Sequence, residues 1–119
     1  MKILVVDDSK AMRMIVIRNL RQAGLGDATV VEAENGVQGL EQVAAEKPDL
    51  ILCDWNMPEM NGIDFLNALR AQGDSTTFGF VTSESTPVMR DQAIRAGAAF
   101  LLAKPFSSDD FQKVLARVA

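Results

Sequence analysis

The sequence predicts an α/β fold: a doubly wound, five-stranded parallel sheet with five helices covering its two faces. Two observations predict it. Five short apolar runs rich in β-branched or aromatic residues alternate with five stretches of helical periodicity, and the 119 residues leave only short connections between them. Strict β-then-α alternation marks parallel strands joined by crossover helices, which bury both faces of the sheet.

The first strand is Ile3 to Val6. A helix follows with Met12, Ile15, Val16, Leu20 and Ala23 expected on one face and Gly24 as its stop. The second strand, Thr29 to Ala33, leads to a helix patterned by Val37, Leu40, Val43 and Ala44 before Pro48. Leu50 to Cys53 form the third strand, and Ile63, Leu66 and Leu69 mark a helix ending near Gly73. The fourth strand, Phe78 to Thr82, precedes a helix from Pro87 to Ala96, with the proline in its first turn and Gly97 beyond it. Phe100 to Ala103 form the fifth strand. The last helix carries Phe111, Val114, Leu115 and Val118, with Ser107 as its N-cap.

Composition narrows the function. The chain has no histidine, which excludes Ser-His-Asp and Cys-His devices and His-ligated zinc within it. The single cysteine, Cys53, lies in an apolar run and reads as a small buried hydrophobe. A net charge of -4 opposes a broad grip on nucleic acid, which needs a basic face. No run approaches the ~20 apolar residues of a membrane span, and the N-terminus offers only Ile3 to Val6 before Asp7 and Asp8, too little for a secretory signal. The expected location is the cytoplasm.

Parallel α/β sheets place ligands beyond the carboxyl ends of their strands, where the strand order reverses. Here the first strand ends in Asp7 and Asp8, the third in Asp54 and the fourth in Thr82, while Lys104 and Pro105 follow the fifth. In the order 2-1-3-4-5 the first and third strands are neighbours, so the three aspartates converge beside a hydroxyl and an ammonium. Singly these residues are also ordinary turn, cap and strand-end choices: Asp8 or Ser9 suits a helix cap, and Thr82 is a common β-former. Their joint occurrence at one end of the sheet is what argues for a site.

Three close carboxylates raise one another's pKa unless a cation enters. With Lys104 they leave a formal charge of -2, which one divalent ion cancels. The donors are hard oxygens, which selects Mg²⁺, with Mn²⁺ possible. A carboxylate beside a metal, a lysine and a hydroxyl is equipped for phosphoryl transfer, with Asp54 as nucleophile.

These stretches resemble the receiver domains of bacterial two-component response regulators. The matches are Val5-Val6-Asp7-Asp8-Ser9, Asp54 to Gly62, Val81-Thr82-Ser83-Glu84, and Ala96-Gly97-Ala98 leading to Lys104-Pro105-Phe106. The Asp54-Trp55-Asn56-Met57-Pro58 stretch is particularly similar to the chemotaxis, CheY-like branch. The resemblance implies one receiver domain over residues 1–119 with a flavodoxin-like sheet, not an enzyme acting on other substrates. It implies Asp54 as phosphoacceptor, with Asp8, Asp54 and the backbone carbonyl of Asn56 on Mg²⁺ and Asp7 contributing through water. It further implies Thr82 and Lys104 on the phosphoryl oxygens, Ser83 as the small residue admitting the group, and Asn56 and Glu84 as tuning positions. The implied partners are a sensor histidine kinase or histidine phosphotransfer protein, and a downstream target bound through the fourth helix, fifth strand and fifth helix.

The pattern departs from the family at one position. Receivers usually carry Tyr or Phe three residues before the lysine, as a rotameric switch; here Leu101 stands there and Phe100 one residue earlier. One residue reverses the face of a strand, so Phe100 is expected inside. The chain stops at Ala119 without a linker, which favours a stand-alone receiver over the receiver part of a longer regulator. A phosphatase of the haloacid dehalogenase type also uses a strand-end Asp nucleophile, but needs a second Asp where Asn56 stands. A flavin binder is opposed by three carboxylates that repel its phosphate.

Overall fold

In the computed structural model, residues 1–116 are described; Val118, expected on the last helix, lies outside them. The strands are β1 (Lys2–Val6), β2 (Thr29–Ala33), β3 (Leu50–Cys53), β4 (Thr77–Thr82) and β5 (Phe100–Ala103). All neighbours are parallel, in the order β2-β1-β3-β4-β5. The helices are α1 (Lys10–Leu20), α2 (Gly36–Glu46), α3 (Gly62–Ala71), α4 (Pro87–Arg95) and α5 (Ser108–Ala116).

Each strand sends alternate side chains to opposite faces, so the sheet separates two cores. Leu4, Val6, Ile51 and Cys53 meet α2, α3 and α4 on one side, with Phe65, Phe78 and Phe80. Ile3, Val5, Leu50 and Leu52 meet α1 and α5 on the other, with Val16, Leu20 and Phe111. No helix among the described residues is long and apolar enough to cross a membrane.

Polar caps start the helices where the sequence changes from β-branched runs to short polar residues. Ser9, Asn35, Asn61 and Thr86 each accept a backbone N–H from the first turn of α1, α2, α3 and α4. Ser107 caps α5 reciprocally: its Oγ accepts the Asp110 N–H and the Asp110 carboxylate accepts the Ser107 N–H, both at 3.1 Å. Pro87 occupies the first turn of α4, as expected. Past α1 the chain widens into a π-type turn, Arg21–Leu25, broken at Gly24 with φ 97°, a conformation that glycine adopts without penalty.

Two helix faces differ from expectation. On α1, Ile15 is 39% exposed, whereas Arg13 and Asn19 are buried. Polar groups can turn inward there because each finds a partner: the Asn19 amide donates to the Ile15 carbonyl, and Arg13 donates to the Asp7 carbonyl. On α2, Val37 and Ala44 face outward, and Gly36 and Gly39 face in. A Cβ at Gly36 would lie 2.6 Å from Met60, and one at Gly39 would lie 2.8 Å from the ring of Phe65. The glycines are recesses that receive larger side chains from the neighbouring α3 and the loop before it.

The departure at the fifth strand has a packing reason. Phe100 is paired with Gly79 of β4 and belongs to the α1 and α5 core, while Leu101 is paired with Phe80 and lies in the other. The Phe100 ring covers the space a side chain at Gly79 would fill. Phe100 is therefore inside, as expected.

Candidate functional site

Register builds the site. Val6 lies opposite Cys53, and the Asp54 N–H donates to the Val6 carbonyl at 2.9 Å, so Asp7 and Asp54 emerge side by side at the carboxyl edge of the sheet. Asp7, Asp8 and Asp54 each present one carboxylate oxygen, and these three lie within 4.8 Å of one another. The donor set is all carboxylate, the chemistry that suits a hard divalent cation such as Mg²⁺.

The three aspartates are held differently. Asp7 is buried and pinned at every polar group. Its N–H donates to the Ala33 carbonyl, its carbonyl accepts from Arg13, Oδ1 accepts from the Ser9 N–H at 2.9 Å and Oδ2 accepts from Lys104 Nζ at 3.1 Å. Asp8 is exposed, and its carboxylate makes no hydrogen bond among the described residues. Asp54 is half-buried; its Oδ1 accepts the Trp55 N–H at 2.8 Å and lies 3.8 Å from Lys104 Nζ. Burial raises the Asp54 carboxyl above its usual range, Lys104 opposes the rise, and Asp7 and then Asp8 add to it, the Trp55 N–H pulling down between them.

Lys104 reaches the cluster from the end of β5, and its N–H donates to the Thr82 carbonyl at 2.7 Å. The peptide bond between Lys104 and Pro105 is cis, and Pro105 is exposed. Thr82, wholly buried, ends β4; its Oγ1 accepts the Glu84 N–H at 3.4 Å. Across the mouth the Asn56 amide donates to Glu84 Oε1 at 3.4 Å, joining the loops after β3 and β4. Ser83 is exposed beside them, and Leu101 is buried in the core with Phe78 and Phe80.

The loop after β3 is closed by Gly62, whose N–H donates to the Trp55 carbonyl at 2.8 Å. A Cβ there would collide with the Asp54 carbonyl. Beneath the site, Cys53 is buried and its thiol is pushed well above its usual range, chiefly by burial, so it is no nucleophile. Sequence reasoning omitted Arg13. The available signal was its place on the inward face of α1, three and seven residues before Val16 and Leu20.

Comparison with known proteins agrees with this geometry. The family model of the response regulator receiver domain matches residues 3–116. The chain is 39% identical over 110 residues to chemotaxis protein CheY1 of Helicobacter pylori strain J99, covering 90% of this chain and 87% of that one. It is 37% identical over 110 residues to a CheY homolog of Campylobacter jejuni, covering 90% of this chain and 83% of that one. The solved structure of Vibrio cholerae chemotaxis protein CheY4 superposes with a TM-score of 0.87 at 34% identity, covering 99% of this chain and 98% of that one. A family match spanning the whole sheet, relatives this similar over nine-tenths of the chain, and an acidic cluster at the switch point converge: the chain belongs to the response regulator receiver domain family.

Proposed function

We propose that this receiver, spanning residues 1–119, accepts a phosphoryl group onto Asp54 from a phosphohistidine of a sensor histidine kinase or phosphotransfer protein. It then signals to a target protein, in a chemotaxis-type pathway in the cytoplasm. An ionised Asp54 oxygen attacks phosphorus, the P–N bond breaks with its electron pair returning to the imidazole, and an acyl phosphate remains on the protein.

The observation that carries this reading is Lys104, whose ammonium lies 3.1 Å from Asp7 and 3.8 Å from Asp54. Lys104 would pair with the transferred oxygens, and the Thr82 hydroxyl would supply a further donor from the adjoining strand end. Asp8, Asp54 and the main-chain carbonyl of Asn56 would hold Mg²⁺, with Asp7 reaching it through water. When bound, the ion supplies positive charge that relieves carboxylate repulsion and neutralises the phosphoryl oxygens. Ser83 is small enough to admit the group, and Asn56 and Glu84 rim the mouth and tune its lifetime. Leu101 in β5 and Pro105 between β5 and α5 are the switch positions next to the target surface of α4, β5 and α5.

A mass measurement after incubation with Mg²⁺ and a small acyl phosphate donor tests the assignment. One hydroxylamine-labile phosphoryl group is expected on the wild type and none on Asp54→Asn. Equal labelling of the variant would remove Asp54 from the role.

A further inference from the structure

Among the described residues, Arg13 is the buried cation that the phosphoryl-transfer reading leaves unused. It lies on the inward face of α1, and a guanidinium withdrawn from water loses solvation that only good partners offset. Its partners are good: Nη1 donates to the Asp7 carbonyl at 2.6 Å, and Nε pairs with Glu32 Oε1 at 2.9 Å. The two bonds tie the turn after β1 to the end of β2.

The acceptor is the carbonyl of the peptide that joins Asp7 to Asp8. Fixing that oxygen fixes the peptide plane, and with it the backbone from which the Asp8 side chain departs. Asp8 needs such help, because its carboxylate is exposed and unbonded among the described residues while its two neighbours in the cluster are held by Ser9, Trp55 and Lys104. We infer that Arg13 is a positioning residue for divalent metal binding, setting the place of Asp8 through the Asp7–Asp8 peptide. The inference rests on the reading of the acidic cluster as a Mg²⁺ site.

Charge and position make opposite demands here. Removing a cation near the cluster makes it more negative, which by charge alone tightens Mg²⁺ binding. Losing a group that orients a ligand weakens metal affinity, by roughly 10- to 100-fold in outer-shell variants. The sign of the change therefore separates the two, and a purely structural role would lower thermal stability with no loss of affinity.

The experiment is a Mg²⁺ titration of the full chain followed by fluorescence of Trp55, whose N–H is bonded to Asp54, with thermal unfolding recorded without metal. Arg13→Gln is expected to weaken Mg²⁺ at least about tenfold, and more salt to leave the loss in place. Arg13→Lys keeps the charge but has no fork to serve both partners, so a smaller loss is expected. Wild-type or tighter affinity in Arg13→Gln overturns the inference. If that variant does not fold, Arg13→Lys decides: weaker binding supports positioning, and wild-type affinity overturns it. Asp8→Ala is the control for the underlying reading. A wild type that does not respond to Mg²⁺, or an Asp8→Ala variant that binds equally well, overturns the metal assignment and the inference together, whereas unchanged Arg13 variants beside a weakened Asp8→Ala overturn the inference alone.

Discussion

Asp54 carries a conflict between burial and charge. Its carboxyl is raised chiefly by burial, and Lys104 only partly compensates. A group whose folded-state pKa lies above its unfolded value contributes stability that is fully present below the usual carboxyl range and is lost as pH rises through the raised value. At neutral pH the ionised Asp54 is therefore a cost to the metal-free protein. Asp54→Asn should raise the Tm of the metal-free protein at pH 7, with the advantage fading toward pH 4 as the wild-type carboxyl protonates. Saturating Mg²⁺ should narrow or reverse the difference, because only the wild type keeps the Asp54 carboxylate proposed as a metal ligand. Thermal unfolding of both proteins from pH 4 to 8, with and without the ion, checks the sign. Equal or lower stability of the metal-free variant at pH 7 would show that Lys104 balances the charge fully.

At the scale of elements, Gly79 and Phe100 are one unit in two strands. Glycine weakens a strand unless something occupies the place of its side chain, and the ring of Phe100 does so in the paired position. Gly79→Ala should destabilise the domain by about 1 to 3 kcal/mol through overpacking, and Phe100→Leu in the same chain should recover part of that loss. Urea unfolding of both single variants and the double variant measures the coupling; strict additivity would mean that the ring moves aside freely. The same pair shows what the sequence could and could not tell. Strand ends were legible because apolar runs stop at Asp7, Asp54 and Thr82, and the caps at Ser9 and Ser107 because a short polar residue precedes the helix. The convergence of Asp7, Asp8, Asp54 and Lys104 followed from strand order alone. The inward faces of α1 and α2 were legible only in part: Val16, Leu20 and Val43 are buried as their spacing predicts, whereas Arg13 and Asn19 enter by hydrogen bonding and Gly36 and Gly39 by having no side chain, and neither leaves an apolar mark.

Over the whole molecule, α4 has the fewest buried side chains among the described residues of the five helices. In α4 only Ala93 is fully buried, Val88 is 76% exposed and Ile94 56% exposed. A link from this helix to β5 is the Arg90 guanidinium on the Leu101 carbonyl at 3.3 Å, a main-chain contact that does not depend on the Leu101 side chain. The Leu101 side chain itself is enclosed with Phe78 and Phe80, and has neither the ring nor the hydroxyl with which an aromatic switch would distinguish two states. A modification shifts an equilibrium only by its differential contacts with the two states. In the proposed function those contacts would be made by Thr82 and Lys104, and Thr82 leads directly into the loop of Ser83 and Glu84 and then α4. Amide chemical shifts with and without a beryllofluoride mimic of the phosphoryl group, in the presence of Mg²⁺, should therefore change strongly over residues 83–96. The response should survive in Leu101→Ala and shrink in Thr82→Ala. Loss of the response in Leu101→Ala with Thr82→Ala unaffected would place the switch at Leu101 instead, and would mean that a buried aliphatic rotamer, rather than the loop after β4, couples the phosphoryl site to the surface.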